Sequence, residues 1–141
     1  MTTGEAIKKA RYARGLLQRE VAALSNTSVE AIGSYEIDEH VPRLDAALMM
    51  ADGLKMSIHE LFTGKPAAFK MKPLTMKEIG INAKKHRASE LLSRRELAEK
   101  AYIAQETIRR FESAETSPQI DTLLAICDVL NITLDEYIGR V

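Results

Sequence analysis

Apolar residues recur along this chain at the three-and-four spacing of helices, in short runs separated by turn residues. In "SPQIDTLLAICDVL" the positions Ile120, Leu123, Leu124 and Cys127 share one face, which predicts a helix opened near Pro118. In "AQETIRRFE" Ile108 and Phe111 point one way, while Gln105, Glu106, Arg109 and Arg110 point the other. "SRRELAEKA" offers Ser93 as an N-cap with Glu96 three residues on, the pattern of a capping box. "TMKEIGINAKKHRA" predicts a helix before these, and "TLDEYIG", capped by the Thr133 hydroxyl, predicts one after them. Strict alternation and Asn-Gly hairpin turns are absent, so the expected class is all-α.

The pattern occurs twice. Shifting the chain by 76 residues aligns 4–62 with 80–138 without a gap, and 18 of those 59 positions are identical. "SNTSVEAIGSYE", residues 25–36, thereby answers "AYIAQETIRRFE", residues 101–112. Its apolar underside survives as Ile32 and Tyr35, and its upper side becomes Val29, Glu30, Gly33 and Ser34. Ser57 caps "IHELF" as Thr133 caps its counterpart. The expected organisation is a unit at 1–62, a linker at 63–79 leading into the next first helix, and a second unit at 80–141. "TGKPAAFKMKP" holds two prolines within that linker.

Composition narrows the function classes. The chain has 20 basic and 20 acidic side chains, a balance that argues against indiscriminate binding to nucleic acid or membrane. Only residues 65–79 are clearly basic, with Lys65, Lys70, Lys72 and Lys77 against Glu78. The lone Cys127 lies in an apolar run and reads as a small buried hydrophobe, consistent with a reducing compartment. "MTTGEAIKKARYARG" lacks the apolar stretch of a signal peptide, so a soluble, cytoplasmic protein is expected. His40, His59 and His86 stand singly, no glycine-rich phosphate loop occurs, and the methionines of "LMMADGLKM" read as core. No catalytic set, metal or cofactor is implied.

The string "LSRRELAEKAYIAQETIRRFE", followed by "SP" and "LLAICDVLNITLDEYI", resembles the Cro/lambda-repressor-like helix-turn-helix domains, the XRE family. Leu92, Ala98, Ile108, Glu112, Pro118, Leu124 and Leu130 occupy that family's framework places. Leu16, Ala22, Ile32, Glu36, Pro42, Leu48 and Leu54 do so in the first repeat. The resemblance implies two tandem five-helix DNA-binding domains. It places the third helix of each in the DNA major groove, with the second helix across the backbone.

Carried over residue by residue, Gln105, Glu106 and Arg110 take base-reading places in the second unit, flanked by Arg94, Arg95 and Arg109. In the first unit Gln18, Ser28, Val29, Glu30 and Ser34 take the corresponding surface. Gln can pair bidentately with adenine and Arg with guanine, which is the chemistry such a surface needs. The resemblance also implies two structural ion pairs, Arg11 with Glu36 and Arg87 with Glu112.

Some positions depart from the family pattern. The turn between the second and third helices needs a residue at positive φ, which suits Asn26 but not Tyr102. After the third helix, where a basic residue usually faces phosphate, stand Asp38 and Glu39 in one unit and Ala114 and Glu115 in the other. An acid there repels phosphate. Val29, Gly33 and Ile37 leave the first unit's reading face nearly apolar, which a protein contact would explain.

The expected function is a sequence-specific transcriptional regulator, a repressor, bound to a double-stranded DNA operator. Two alternatives stay open: a protein-interaction module gripping a partner through the first repeat, and an antitoxin-like autoregulator. A homodimer also stays open. The 17 residues of 63–79 reach roughly 55–60 Å when extended. That exceeds the ~34 Å between half-sites one turn apart, so reach permits a monomer on two half-sites as well.

Overall fold

The computed structural model describes residues 1–141, which form ten helices and no strand. The chain is all-α and divides into two compact units, Met1–Ala67 and Ala68–Val141. The first holds α1 (Thr3–Ala13), α2 (Gln18–Leu24), α3 (Val29–Glu36), α4 (Leu44–Gly53) and α5 (Ile58–Thr63). The second holds α6 (Met76–Ser89), α7 (Arg94–Ala101), α8 (Gln105–Glu112), α9 (Ile120–Leu130) and α10 (Leu134–Ile138).

Hydroxyl caps start most of these helices. Ser93 accepts from the Glu96 N–H while the Glu96 carboxylate accepts from the Ser93 N–H, which satisfies two N–H groups that a helix start leaves open. Thr2 with Glu5, Thr75 with Glu78 and Thr133 with Glu136 build the same box. The ends are equally systematic. Left-handed residues recur at the 76-residue offset: Gly15 and Leu91, Asn26 and Tyr102, Asp38 and Ala114, Lys55 and Asn131. Each turns the chain sharply out of one helix toward the next.

Each unit has its own core. Ile7, Val21, Ile32, Leu44, Met50, Ile58 and Leu61 fill the first; Ile79, Leu97, Ile108, Phe111, Ile120, Leu123 and Tyr137 fill the second. Volume is redistributed between the copies: Ala83 stands where the first unit has Ile7, and Tyr137 stands where it has Leu61. The Phe111 and Tyr137 rings pack with centroids 6.0 Å apart. Cys127 is buried, and burial pushes its thiol pKa well up, as expected of an inert packing residue. Leu124, on the predicted apolar face, is only half-buried.

Two close approaches fix the third helix of each unit. A Cβ on Gly80 would lie 2.6 Å from the Glu112 carbonyl oxygen, and one on Gly4 would lie 2.3 Å from that of Tyr35. The first helix therefore lies directly against the C-terminal end of the third, an approach only glycine permits. In the first unit Asp38 adds to this contact: its carboxylate accepts from the Gly4 N–H at 2.9 Å and from the Thr2 hydroxyl at 2.7 Å. Ala114, its counterpart, has no such group.

The stretch read as linker is tied at its far end. The Lys70 N–H donates to the Arg140 carbonyl at 2.6 Å, and Arg140 Nε donates to the Lys72 carbonyl at 3.2 Å. The first turn of α6 takes up residues 76–79.

Tyr102 adopts the left-handed conformation that its side chain disfavours, at φ 56, and the residue is 95% exposed. A left-handed non-glycine residue is strained by roughly 1–2 kcal/mol, and glycine there returns part of that as unfolded-chain entropy. Tyr102→Gly should therefore stabilise the second unit by about 1 kcal/mol, raising its melting temperature by roughly 4–8 °C. Asn26→Gly should gain less, because Asn tolerates this region. Thermal unfolding of the two variants checks the order; an unchanged or lower melting temperature for Tyr102→Gly would show that the ring makes a stabilising contact.

Candidate nucleic-acid interface

In the second unit, α8 rests on Ile108 and Phe111, both essentially inaccessible, and turns Gln105, Glu106 and Arg110 outward. Its orientation is fixed from below by Glu112, whose side chain is 1% exposed. Arg87, at the end of α6, donates from Nε at 2.7 Å and from Nη2 at 2.9 Å to the two carboxylate oxygens. Its remaining nitrogen donates to the Leu92 carbonyl at 2.8 Å, just before α7. Arg94, opening α7, adds a third donor to Glu112 at 3.1 Å. One carboxylate thus binds the end of the first helix, the start of the second and the end of the third.

The first unit repeats the arrangement with one exchange. Arg11 bonds both oxygens of Glu36 at 2.7 and 2.8 Å and the Leu16 carbonyl at 3.0 Å, and Gln18 replaces Arg94 with an amide donor at 3.2 Å. The Arg11 guanidinium also lies 4.6 Å from the centroid of the Tyr12 ring. Burial pushes the Glu36 carboxyl upward, but the bonds from Arg11 and Gln18 outweigh it and hold the group below its ordinary value. The bond to its glutamate correspondingly raises the pKa of each partner arginine.

The two outward faces differ above this common frame. On α8, Arg109 Nε donates to Glu106 at 2.8 Å and its Nη1 to Glu115 at 2.8 Å, while Arg110 Nε lies 3.3 Å from Glu106. Arg95 pairs with Glu99 one turn on along α7. On α3, no basic side chain stands at the matching places. Val29 is partly exposed, Ile37 is 72% exposed, and the Ser34 hydroxyl is hydrogen-bonded to His40 Nδ1. Tyr35, expected beneath α3, is only half-buried. An open groove of about 720 Å³ runs beside α3, lined in part by Ser28, Glu30, Ser34, Tyr35, Glu39 and His40.

The structure therefore brings Arg11 to Glu36 and Arg87 to Glu112, and it draws Arg94 and Gln18 into the same two clusters. Gln105, Glu106, Arg109 and Arg110 share the exposed side of α8; Ser28, Val29, Glu30 and Ser34 border the exposed side of α3. Three participants were not singled out from the sequence as bonding partners: Glu115 on Arg109, Asp38 on the start of α1, and His40 on Ser34. The Glu106–Arg109 and Glu106–Arg110 spacings of three and four were a readable signal. The other three bonds cross a turn or join separate elements and carry no periodic signal.

A short polar helix held above an apolar underside, with a second helix set against its start, is the geometry by which side chains reach base edges. The helix-turn-helix family pattern matches the chain twice, over residues 7–61 and 84–137. The chain belongs to the helix-turn-helix family. It carries the Cro/C1-type module in tandem, a DNA-binding regulatory architecture. No curated protein matches the chain. No helix of this helix-turn-helix protein is long and apolar enough to cross a membrane.

Removing one partner of a buried ion pair strands the other and costs roughly 3–5 kcal/mol. A unit of this size is stable by only about 4–11 kcal/mol. Glu112→Ala should thus leave the second unit largely unfolded at 37 °C while the first unit keeps its transition. Glu36→Ala should do the reverse. Hydrogen exchange followed along the full chain distinguishes the units; full protection of α8 in Glu112→Ala would show that the pair does not hold the helix.

Proposed function

We propose that this DNA-binding regulator is a sequence-specific repressor whose second unit is the main reader of a double-stranded operator. The observation that carries this reading is the outward set on α8, Gln105, Glu106 and Arg110, above a face fixed by Ile108, Phe111 and Glu112. Gln105 suits adenine, Arg110 suits guanine, and a glutamate at 106 suits the cytosine amino group. Arg94 and Arg95, at the start of α7, supply backbone contacts that position the helix without reading sequence. Repression follows from occupancy: a compact protein seated in the major groove over a promoter excludes polymerase. The setting is the cytoplasm, where the operator lies.

A second reading applies to the first unit alone. Its third helix offers Val29, Gly33 and Ser34 where the second offers Gln105, Arg109 and Arg110. Neither valine nor glycine grips a phosphate. The exposed Val29 and Ile37, with Glu30 and Glu39 beside the groove, favour a protein partner for this surface.

Replacing Arg110 with Ala should weaken operator binding by roughly 1–3 kcal/mol and relax choice at one base pair. Ser34→Ala should have much less effect. Both variants are titrated at two salt concentrations on the duplex that the wild-type chain enriches from a random pool. Equal losses would mean that the units share the reading; no loss in either would leave the protein-interaction reading in its place.

A further inference from the structure

Arg109 is the most heavily engaged cation on the reading helix. Nε donates to Glu106 Oε1 at 2.8 Å. Nη1 donates to Glu115 Oε2 at 2.8 Å, while Nη2 lies 2.5 Å from Glu106 Oε1 and 3.4 Å from Glu115 Oε1. Arginine grips a phosphate through the same nitrogens that Glu106 and Glu115 hold here. Arg110 differs, since only its Nε lies on a carboxylate, again Glu106, at 3.3 Å.

Glu115 does not meet Arg109 by helical spacing. Ala114 turns the chain at φ 60, and the Glu115 N–H then donates to the Arg110 carbonyl at 2.8 Å. Two backbone features thus hold Glu115 beside the Arg109 fork. The first unit has a glutamate at the same repeat position, Glu39, but Gly33 stands where Arg109 would be, so nothing there answers it. All the groups concerned are partly exposed, Arg109 at 38% and Glu115 at 48%, so the pair can exchange partners in water.

We propose that Glu115 is an internal phosphate mimic: its carboxylate occupies Nη1, the nitrogen of Arg109 that Glu106 leaves open, and withholds a sequence-independent phosphate contact from DNA. The proposal rests on α8 being the DNA-reading helix. It assigns the Arg109 fork as an anion site for a backbone phosphate, closed in the free chain. The consequence is a division of labour on one helix. Arg110 and Gln105 face base edges, while Arg109 is kept from adding affinity for DNA of any sequence. In a chain with 20 basic and 20 acidic side chains, one such contact is a large fraction of the non-specific attraction.

Glu115→Gln keeps the shape and removes the charge. An exposed ion pair holds its partners by a factor of up to about five, and the phosphate contact that the freed Arg109 then makes adds to this. The variant should therefore bind both a 25-base-pair random-sequence duplex and the duplex enriched from a random pool about three- to tenfold more tightly. The factor should be alike for the two. The slope of log affinity against log salt should steepen by about 0.9, the value for one added phosphate contact. Glu90→Gln removes an acid from the exposed end of the α6 turn, where no arginine fork is paired with it, and should change little. Arg109→Gln with Glu115→Gln together should return affinity and slope to near wild type, which marks Arg109 as the group released.

A Glu115→Gln effect no larger than that of Glu90→Gln, or one that survives loss of Arg109, overturns the proposal while leaving DNA reading intact. A wild-type chain that enriches no duplex and ignores the random one overturns both.

Discussion

A buried carboxylate holding one arginine by two bonds is the interaction on which each unit depends. A five-helix unit of this size buries a small core, so hydrophobic contact alone leaves short helices loosely aimed. Glu112 and Glu36 supply direction. Each lies at the last position of the third helix, and its partner arginine also holds the carbonyl that leads into the second helix. The first, second and third helices therefore share one polar junction. An unpaired charge there would be strongly unfavourable, which makes alternative packings of the third helix costly. Gly4 and Gly80 let the first helix approach closely enough for the junction to form.

The frame is repeated faithfully and the surface is not. The framework places that hold the junction recur at the 76-residue offset, along with the left-handed turns between helices. What changes lies on the solvent side: Gln18 against Arg94, Val29 against Gln105, Gly33 against Arg109, Ser34 against Arg110. A helix whose underside and end are fixed can exchange its upper residues at little cost in stability. Exchange of this kind leaves two units with one frame and different outward faces, the second carrying the arginines. Even the cations of the second unit are restrained, since Glu106, Glu99 and Glu115 lie against them.

Most of the fold was legible because it is written in local or repeated signals. Helical spacing, capping boxes and the gapless repeat gave the class and nearly every element, and the paired positions of Arg87 and Glu112 followed from the family likeness. At Tyr102 local preference and tertiary context disagree. Propensity disfavours a left-handed tyrosine, but a turn fixed on both sides by packed helices imposes the conformation on whichever residue stands there. The sequence shows Glu115 only as an acid near phosphate, because its partner is set by the turn at Ala114 rather than by helical spacing. The bonds of Asp38 and Arg140 carry no sequence signal for a related reason: their partners, Gly4 and Lys70, lie far away in sequence. The polar surface was named residue by residue, whereas the bonds among those residues needed three-dimensional structure.

The inequality of the two units is tested most directly by following backbone amide resonances of the full chain during titration with its enriched duplex. The expected result is that amides of α7 and α8, from Arg94 to Glu112, shift and saturate at stoichiometric DNA, while those of α3, from Val29 to Glu36, stay in place. Shifts in α3 as large as those in α8 would contradict the assignment of DNA reading to the second unit.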